Sequence, residues 1–173
     1  MKKTIELKGA YNKGQLGGDG RRARVKDAGE EPDANGQIAA VGAALLGHSN
    51  PYEKWDVRGE IKRKLQGYAA QDRARRGGDA SDSIDVDATL TKLLSCKLKC
   101  YYCENPMKVL YSKARDSMQW TLDRLDNDAM HTPENTVMAC MKCNLQRRRR
   151  RADAFRDTKQ MKIVRKGLAE QDD

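Results

Sequence analysis

Four cysteines stand in two Cys-x-x-Cys pairs, Cys100/Cys103 and Cys140/Cys143, and 36 residues separate the pairs. Two such pairs supply the four thiolates that a tetrahedral zinc ion takes in a structural site. Cys96 lies four residues before the first pair, so a ligand set that uses Cys96 stays open, although the two matching pairs are preferred. The sequence therefore predicts structural Zn²⁺, and it favours a reducing compartment over a secreted disulfide framework.

The segment between and after these pairs carries side chains that suit hydrolytic chemistry on phosphates. Asp123, Asp126 and His131 lie between the pairs, and Asn144 directly follows the last cysteine. A hard cation such as Mg²⁺ or Mn²⁺ prefers carboxylate and amide oxygens. A histidine titrates near neutral pH and can take a proton from water. These residue types indicate metal-assisted hydrolysis of a phosphodiester with water as the nucleophile.

Positive charge favours a nucleic-acid partner. The chain has a formal net charge of +9 and a sequence pI of about 9.4. Such a charge is the electrostatic footprint expected of a phosphate-binding surface. The alternative for each basic cluster is a solvated helix face. The residues predicted to contact phosphates are Lys62, Arg63, Lys64, Arg147, Arg148, Arg149, Arg150 and Arg151.

Local patterns predict an α+β fold in which short strands and a helix surround the cysteine pairs. Apolar residues at helical spacing indicate the helices, and runs of β-forming residues indicate the strands. The predicted elements are helices at 57–76 and around 90–94, strands at 107–112 and 118–122, an extended piece at 135–139, a helix from Asn144 and a tail helix at 158–168. Trp120 is expected in the core of the hairpin.

The composition divides the chain into four segments. Glycine-rich residues 1–57 are expected to form a flexible, irregular arm that includes one short helix near its end. Residues 58–95 form a basic helical segment, residues 96–155 the zinc-bound domain, and residues 156–173 a charged tail. The chain has no apolar run of the roughly 20 residues that span a bilayer. We therefore expect a soluble intracellular protein, in the cytoplasm or nucleus, or a viral or phage protein in its host cell.

Together, the cysteine pairs, Asp123-Arg124, His131, Asn135 and Asn144 resemble the HNH, or ββα-metal, endonucleases. The resemblance covers residues 99–151 and is greatest to the zinc-knuckle branch, to which phage recombination endonuclease VII belongs. It implies a ββα-metal domain that cleaves DNA and leaves a 5′-phosphate. It also implies that Asp123 and Asn144 bind the catalytic cation, and that Asn135 tethers the loop between the strands.

One position departs from the family pattern. Many members carry the general-base histidine directly after the metal-binding aspartate, whereas this chain has Arg124. Arginine can hold a phosphate in a bidentate contact, but it cannot take a proton from water. His131 is then the preferred base, and Asp126 is the alternative. Because the usual base is missing, a catalytically silent zinc module that binds nucleic acid is the alternative function. The oligomeric state stays open, and a homodimer would allow both strands to be cut.

Overall fold

The computed structural model describes residues 30–76, 82–113 and 115–162. Within these residues the protein is α+β, as predicted, with five helices and a two-stranded sheet. The elements are α1 (Ala34–Leu46), α2 (Val57–Arg76), α3 (Val86–Ser95), β1 (Trp120–Arg124), β2 (Thr136–Cys140), α4 (Met141–Arg147) and α5 (Ala152–Gln160). Among the described residues, no helix combines the length and the apolar character that crossing a bilayer requires.

Strands β1 and β2 pair in antiparallel register and lead directly into α4. Trp120 lies opposite Cys140, and Arg124 lies opposite Thr136. Residues 125–135 connect the two strands, so the chain runs in the order β–β–α. The predicted strand at 118–122 corresponds to β1, which begins two residues later, and the extended piece at 135–139 corresponds to β2.

The predicted strand at 107–112 is wrong, because three of its backbone N–H groups bond to side chains from the start of the described chain. The N–H groups of Val109 and Leu110 both donate to Oε1 of Gln37, at 2.6 and 3.1 Å. The amide at the end of the segment donates to Glu31 at 2.8 Å. Lys108 forms an isolated β-bridge to Gln119, the residue before β1, but the segment forms no continuous ladder.

Helix α1 corresponds to the short helix expected near the end of the glycine-rich arm, and it begins at Ala34. Asp33 caps the helix by accepting the N–H of Gly36, and Gly47 ends it with a positive φ of 71°. Ala40 and Val41 are fully buried, and α1 packs against α2 and α3. The rest of the predicted arm, residues 1–29, lies outside the described residues.

Helices α2 and α3 confirm the predicted helices and close the core over the sheet. Ile61 of α2, Leu90 and Leu93 of α3, and Trp120 of β1 are fully buried in one cluster. The predicted tail helix at 158–168 is shifted: α5 spans Ala152–Gln160 and buries Phe155, while residues 163–168 lie outside the described part. The fold thus places α2 beside the β–β–α unit.

Candidate metal centre and active-site cleft

The two cysteine pairs converge on one point between the first knuckle, which is the turn that carries Cys100 and Cys103, and the junction of β2 and α4. The sulfurs of Cys100, Cys103, Cys140 and Cys143 all lie within 4.8 Å of one another. The Sγ atoms of Cys103 and Cys140 are 4.0 Å apart. A tetrahedral zinc ion with Zn–S bonds of about 2.3 Å implies sulfurs roughly 3.8 Å apart. Four cysteines in this arrangement could hold a zinc ion.

Local structure explains why these sulfurs meet and why Cys96 is not among them. Cys140 is the N-cap of α4, and its sulfur accepts the N–H of Cys143 at 3.4 Å. The N–H of Cys140 in turn donates to the sulfur of Cys100 at 3.3 Å. Cys96 ends α3, and its thiol donates to the carbonyl of Leu93. The four-cysteine group is therefore formed by the two matching pairs.

A cleft of about 960 Å³ lies beside this centre, between α2, β1, the loop after β1 and α4. Four residues that the sequence singles out for chemistry line it, namely Asp123, Arg124, His131 and Asn144. Asp126 does not line the cleft; it is exposed, and its Oδ1 accepts the N–H of Asp128 at 2.8 Å in a local turn.

Asp123 lies on the floor of the cleft with its carboxylate held from two sides. It is 5% exposed. Arg147 donates from Nε to Oδ2 and from Nη2 to Oδ1, both at 2.6 Å. The Tyr102 hydroxyl donates to Oδ2 at 2.7 Å. Burial and the adjacent charge of Asp123 raise the pKa of Tyr102 well above its ordinary value, so the hydroxyl stays a donor. A carboxylate offers about four lone-pair positions, so one position on Oδ1 is left for a further ligand.

The run of five arginines does not form one helix. The sequence predicts a phosphate contact for Arg147, but the structure buries this side chain at 1% exposure, where it also bonds to the carbonyl of Arg124. Arg148 ends α4 with a φ of 55°. Arg148 and Arg149 are exposed and line the cleft.

The last two arginines of the run face other groups. Arg150 donates to the carbonyl of Gln146 and lies over the ring of Phe155, 4.6 Å from its centroid. Arg151 pairs with Asp153 at 2.6 Å. The exposed part of the run at the cleft is therefore reduced to Arg148 and Arg149.

Asn144 lies in α4, next to the second cysteine pair, and its amide is oriented by β1. Nδ2 donates to Oγ1 of Thr121 at 3.0 Å and to the carbonyl of Leu122 at 3.2 Å. Alternate residues of a strand share a face, so Thr121 and Asp123 lie on the same face of β1. With both donors bound, the remaining acceptor of the amide is Oδ1. An amide oxygen from α4 and a carboxylate oxygen from β1 therefore belong to one cleft.

His131 and Arg124 meet a carboxylate that sequence reasoning missed. Nδ1 of His131 lies 3.0 and 2.9 Å from the two carboxylate oxygens of Asp72, a residue of α2. Nη1 of Arg124 lies 3.6 Å from the same carboxylate. Burial would raise the pKa of Asp72, but the hydrogen bonds from His131 and the charge of Arg124 hold it below its ordinary value. The sequence signal was Asp72 itself, the one acidic residue of this basic helix beyond Glu60 in its first turn.

The basic cluster of α2 and the predicted structural residue Trp120 are not part of the cleft lining. Arg63 bonds to Glu60 at 3.0 Å, and Lys62 is exposed. Nζ of Lys64 lies over the buried ring of Trp120, 4.6 Å from its centroid. Lys62, Arg63 and Lys64 are not among the residues that line the cleft.

Asn135, predicted to tether the loop, bonds across it. Its Nδ2 donates to the carbonyls of Asp126 and Met130 at 3.0 and 2.8 Å, and its Oδ1 accepts the N–H of Asp126. The loop that carries His131 is thus held closed from within.

Comparison of the chain with protein-family models, with curated proteins and with solved structures gives no match.

Proposed function

We propose that the protein is a metal-dependent endonuclease that hydrolyses DNA phosphodiester bonds with water as the nucleophile. The observation that supports this most is the shared cleft of Asp123, His131 and Asn144, with Arg148 and Arg149 at its side. Two oxygen ligands for a metal ion, an imidazole that can act as a base and exposed arginine side chains are the groups that such a reaction needs. Cys143 of the four-cysteine group directly precedes Asn144, so a bound zinc ion would hold that amide in place.

Asp123 and Asn144 would hold the catalytic Mg²⁺ or Mn²⁺. Their donors are the remaining lone pair on Oδ1 of Asp123 and the amide oxygen of Asn144, and hard cations prefer such oxygens. Because Arg147 already balances the charge of Asp123, we expect the cation to bind weakly until a substrate phosphate adds its own oxygens. When bound, the cation would stabilise the negative charge that develops on the phosphate and the leaving oxygen.

The protein's own residues would position water and phosphate. His131 would take a proton from water, and the water oxygen would form a bond to phosphorus as the bond from phosphorus to the leaving oxygen breaks. The leaving oxygen would then take a proton from solvent. The family resemblance implies that the 3′ oxygen leaves, which gives a 5′-phosphate. Arg148 and Arg149 would contact flanking phosphates, which adds affinity without base specificity.

A plasmid-nicking assay with Mg²⁺ or Mn²⁺ tests the proposal. His131→Ala should reduce the cleavage rate by about 10²-fold or more, since a general base contributes at least that much. His48→Ala is the matched control, because His48 is exposed and is not among the residues that line the cleft. Wild-type protein that shows no cation-dependent cleavage, or an equal rate for the two variants, would contradict the proposal.

Asn144→Ala tests the cation site in the same assay. We expect the variant to need a higher Mg²⁺ concentration for half-maximal cleavage, because an oxygen ligand is lost. Gln146→Ala is the matched control, since Gln146 is an exposed amide on the same helix that bonds to Lys159. The same concentration requirement in both variants would remove Asn144 from the proposed site.

A second function, a zinc module that binds nucleic acid without cutting it, is favoured by one observation. Both oxygens of Asp123 are already bonded to Arg147, so the acid is satisfied without a cation. This function predicts that wild-type protein binds labelled DNA but leaves it intact at every cation concentration. Binding through phosphates should weaken steeply as salt rises, because counterions are released on binding. Binding that does not respond to salt would argue against both functions.

A further inference from the structure

His131 is joined to a carboxylate that comes from outside the β–β–α unit. Asp72 lies in α2, 59 residues earlier in the chain, and its side chain is fully buried. One of its oxygens also accepts the backbone N–H of His131 at 2.9 Å. A buried carboxylate is costly unless its charge is paired and its lone pairs accept hydrogen bonds. Asp72 meets this requirement through His131, with Arg124 nearby.

The imidazole of His131 is fixed on several sides. The Tyr68 ring packs against it with centroids 4.7 Å apart. The carbonyl of His131 accepts the N–H of Ile84 at 2.8 Å. With Asp72 on Nδ1, neither the ring nor its backbone is free to rotate. Even so, His131 is one of the residues that line the cleft.

The chemistry of this contact selects one tautomer. An ionised carboxylate only accepts hydrogen bonds, and both of its oxygens lie within 3.0 Å of Nδ1. The proton of the neutral imidazole therefore belongs on Nδ1. Nε2 is then the ring atom with a lone pair, which is the form that a general base requires.

We propose that Asp72 is a positioning residue that holds His131 in the Nδ1–H tautomer and so makes Nε2 the proton acceptor in the cleft. This inference rests on the proposed function for its catalytic meaning. It gives α2 a part in the active site, where the sequence indicated at most a phosphate-binding face. It also explains how a histidine in the loop could replace the base that is missing at Arg124.

Several titratable or charged groups surround His131 and set the background for any titration. Asp72 and Tyr68 come from α2, and Arg124 comes from β1. Arg124 offsets part of the effect of Asp72, because its guanidinium is 3.6 Å from that carboxylate. The other charged residues that line the cleft are Arg75, Asp123, Asp128, Arg148 and Arg149.

The tautomer can be measured directly in the zinc-bound, full-length protein by long-range ¹H–¹⁵N correlation spectra. The chain has two histidines, so a His48→Gln variant assigns both rings. We expect wild-type His131 to be protonated at Nδ1 and unprotonated at Nε2 above its pKa. An Nε2–H tautomer in the wild type would overturn the proposal without the need for any variant.

Asp72→Asn tests the cause. It should lower the pKa of His131 by about one unit or more and shift its tautomer toward Nε2–H, because the ionised acceptor is gone. Asp87→Asn is the matched control, since Asp87 is an exposed aspartate that pairs with Arg58. An unchanged His131 spectrum in folded Asp72→Asn protein would overturn the proposal.

Cleavage rates then test the catalytic meaning. Asp72→Asn should cut DNA at least about 10-fold more slowly at pH 7, with the acid limb of its pH–rate profile shifted by the change in the His131 pKa. A merely structural role would lower the rate without moving that limb. If wild-type protein cuts nothing, the nuclease proposal fails, whereas the spectra still decide whether Asp72 sets the tautomer.

Discussion

Asp123 and Arg147 form a buried ion pair in which every charged atom has a partner. The arginine fork spans both carboxylate oxygens, and its remaining N–H groups donate to Asn127 and to the carbonyls of Arg124 and Arg150. Removing two charges from water is costly, and this geometry offsets that cost only while both partners are present. The pair therefore fixes the spatial relation between β1, which carries Asp123, and α4, which carries Asn144.

Arg147→Met should lower the free energy of unfolding by about 3–5 kcal/mol, because Asp123 would remain buried without its counter-charge. The double variant Asp123→Asn/Arg147→Met should lose much less than the sum of the two single variants. Urea unfolding of the zinc-bound proteins measures these differences. Arg149→Met, at a side chain that is 85% exposed, is the control and should change stability by about 0.5 kcal/mol or less. Equal losses at positions 147 and 149 would contradict the assignment.

At the scale of elements, helix α1 holds the segment at 107–112, which bonds to the start of β1 through Lys108 and Trp120. Gln37 is buried, and its amide oxygen accepts two backbone N–H groups while its amide nitrogen donates to the carbonyl of Pro32. Glu31 adds contacts to Ser112 and Lys108. Burial would raise the pKa of Glu31, but these partners lower it to about 2, so the carboxylate is fully charged at neutral pH.

Gln37→Leu should lower the free energy of unfolding by about 2–4 kcal/mol, since it leaves the amides of Val109 and Leu110 buried without an acceptor. Hydrogen exchange should show the loss first at these two amides. Gln66→Leu serves as the control, because Gln66 is exposed on α2. Full protection of both amides in the Gln37 variant would show that the segment has another acceptor.

These elements also show how far the sequence predicts this fold. The helices at 57–76 and near Leu90 follow from apolar spacing within one segment, and the four-cysteine group follows from two local motifs. The segment at 107–112 has the composition of a strand, yet the N–H of Val109 donates to Gln37, which lies 72 residues earlier in the chain. The Asp72–His131 contact spans 59 residues. Neither contact leaves a periodic pattern, so local reasoning could not find it.

For the whole molecule, stability and site geometry depend on the same few contacts. The chain has one phenylalanine, two tryptophans and a mean hydropathy of −0.88, which leaves little apolar surface for a large core. A small core gains from a structural metal, because the binding free energy of the ion becomes folding free energy. The four-cysteine group joins the first knuckle to the start of α4, and hence to Asn144.

Removal of zinc should therefore unfold the β–β–α unit at neutral pH. Zinc at such sites contributes about 10 kcal/mol or more, which is comparable with the whole stability of a typical domain. We expect a strong chelator to abolish the cooperative thermal transition followed by circular dichroism, and added zinc to restore it. Cys143→Ser should have the same effect as the chelator, with less than one zinc bound per chain by metal analysis. Cys96→Ser is the matched control and should keep its zinc and its transition, because Cys96 lies outside the group. A chain that melts cooperatively after its zinc has been removed would mean that packing alone holds Asn144 against β1.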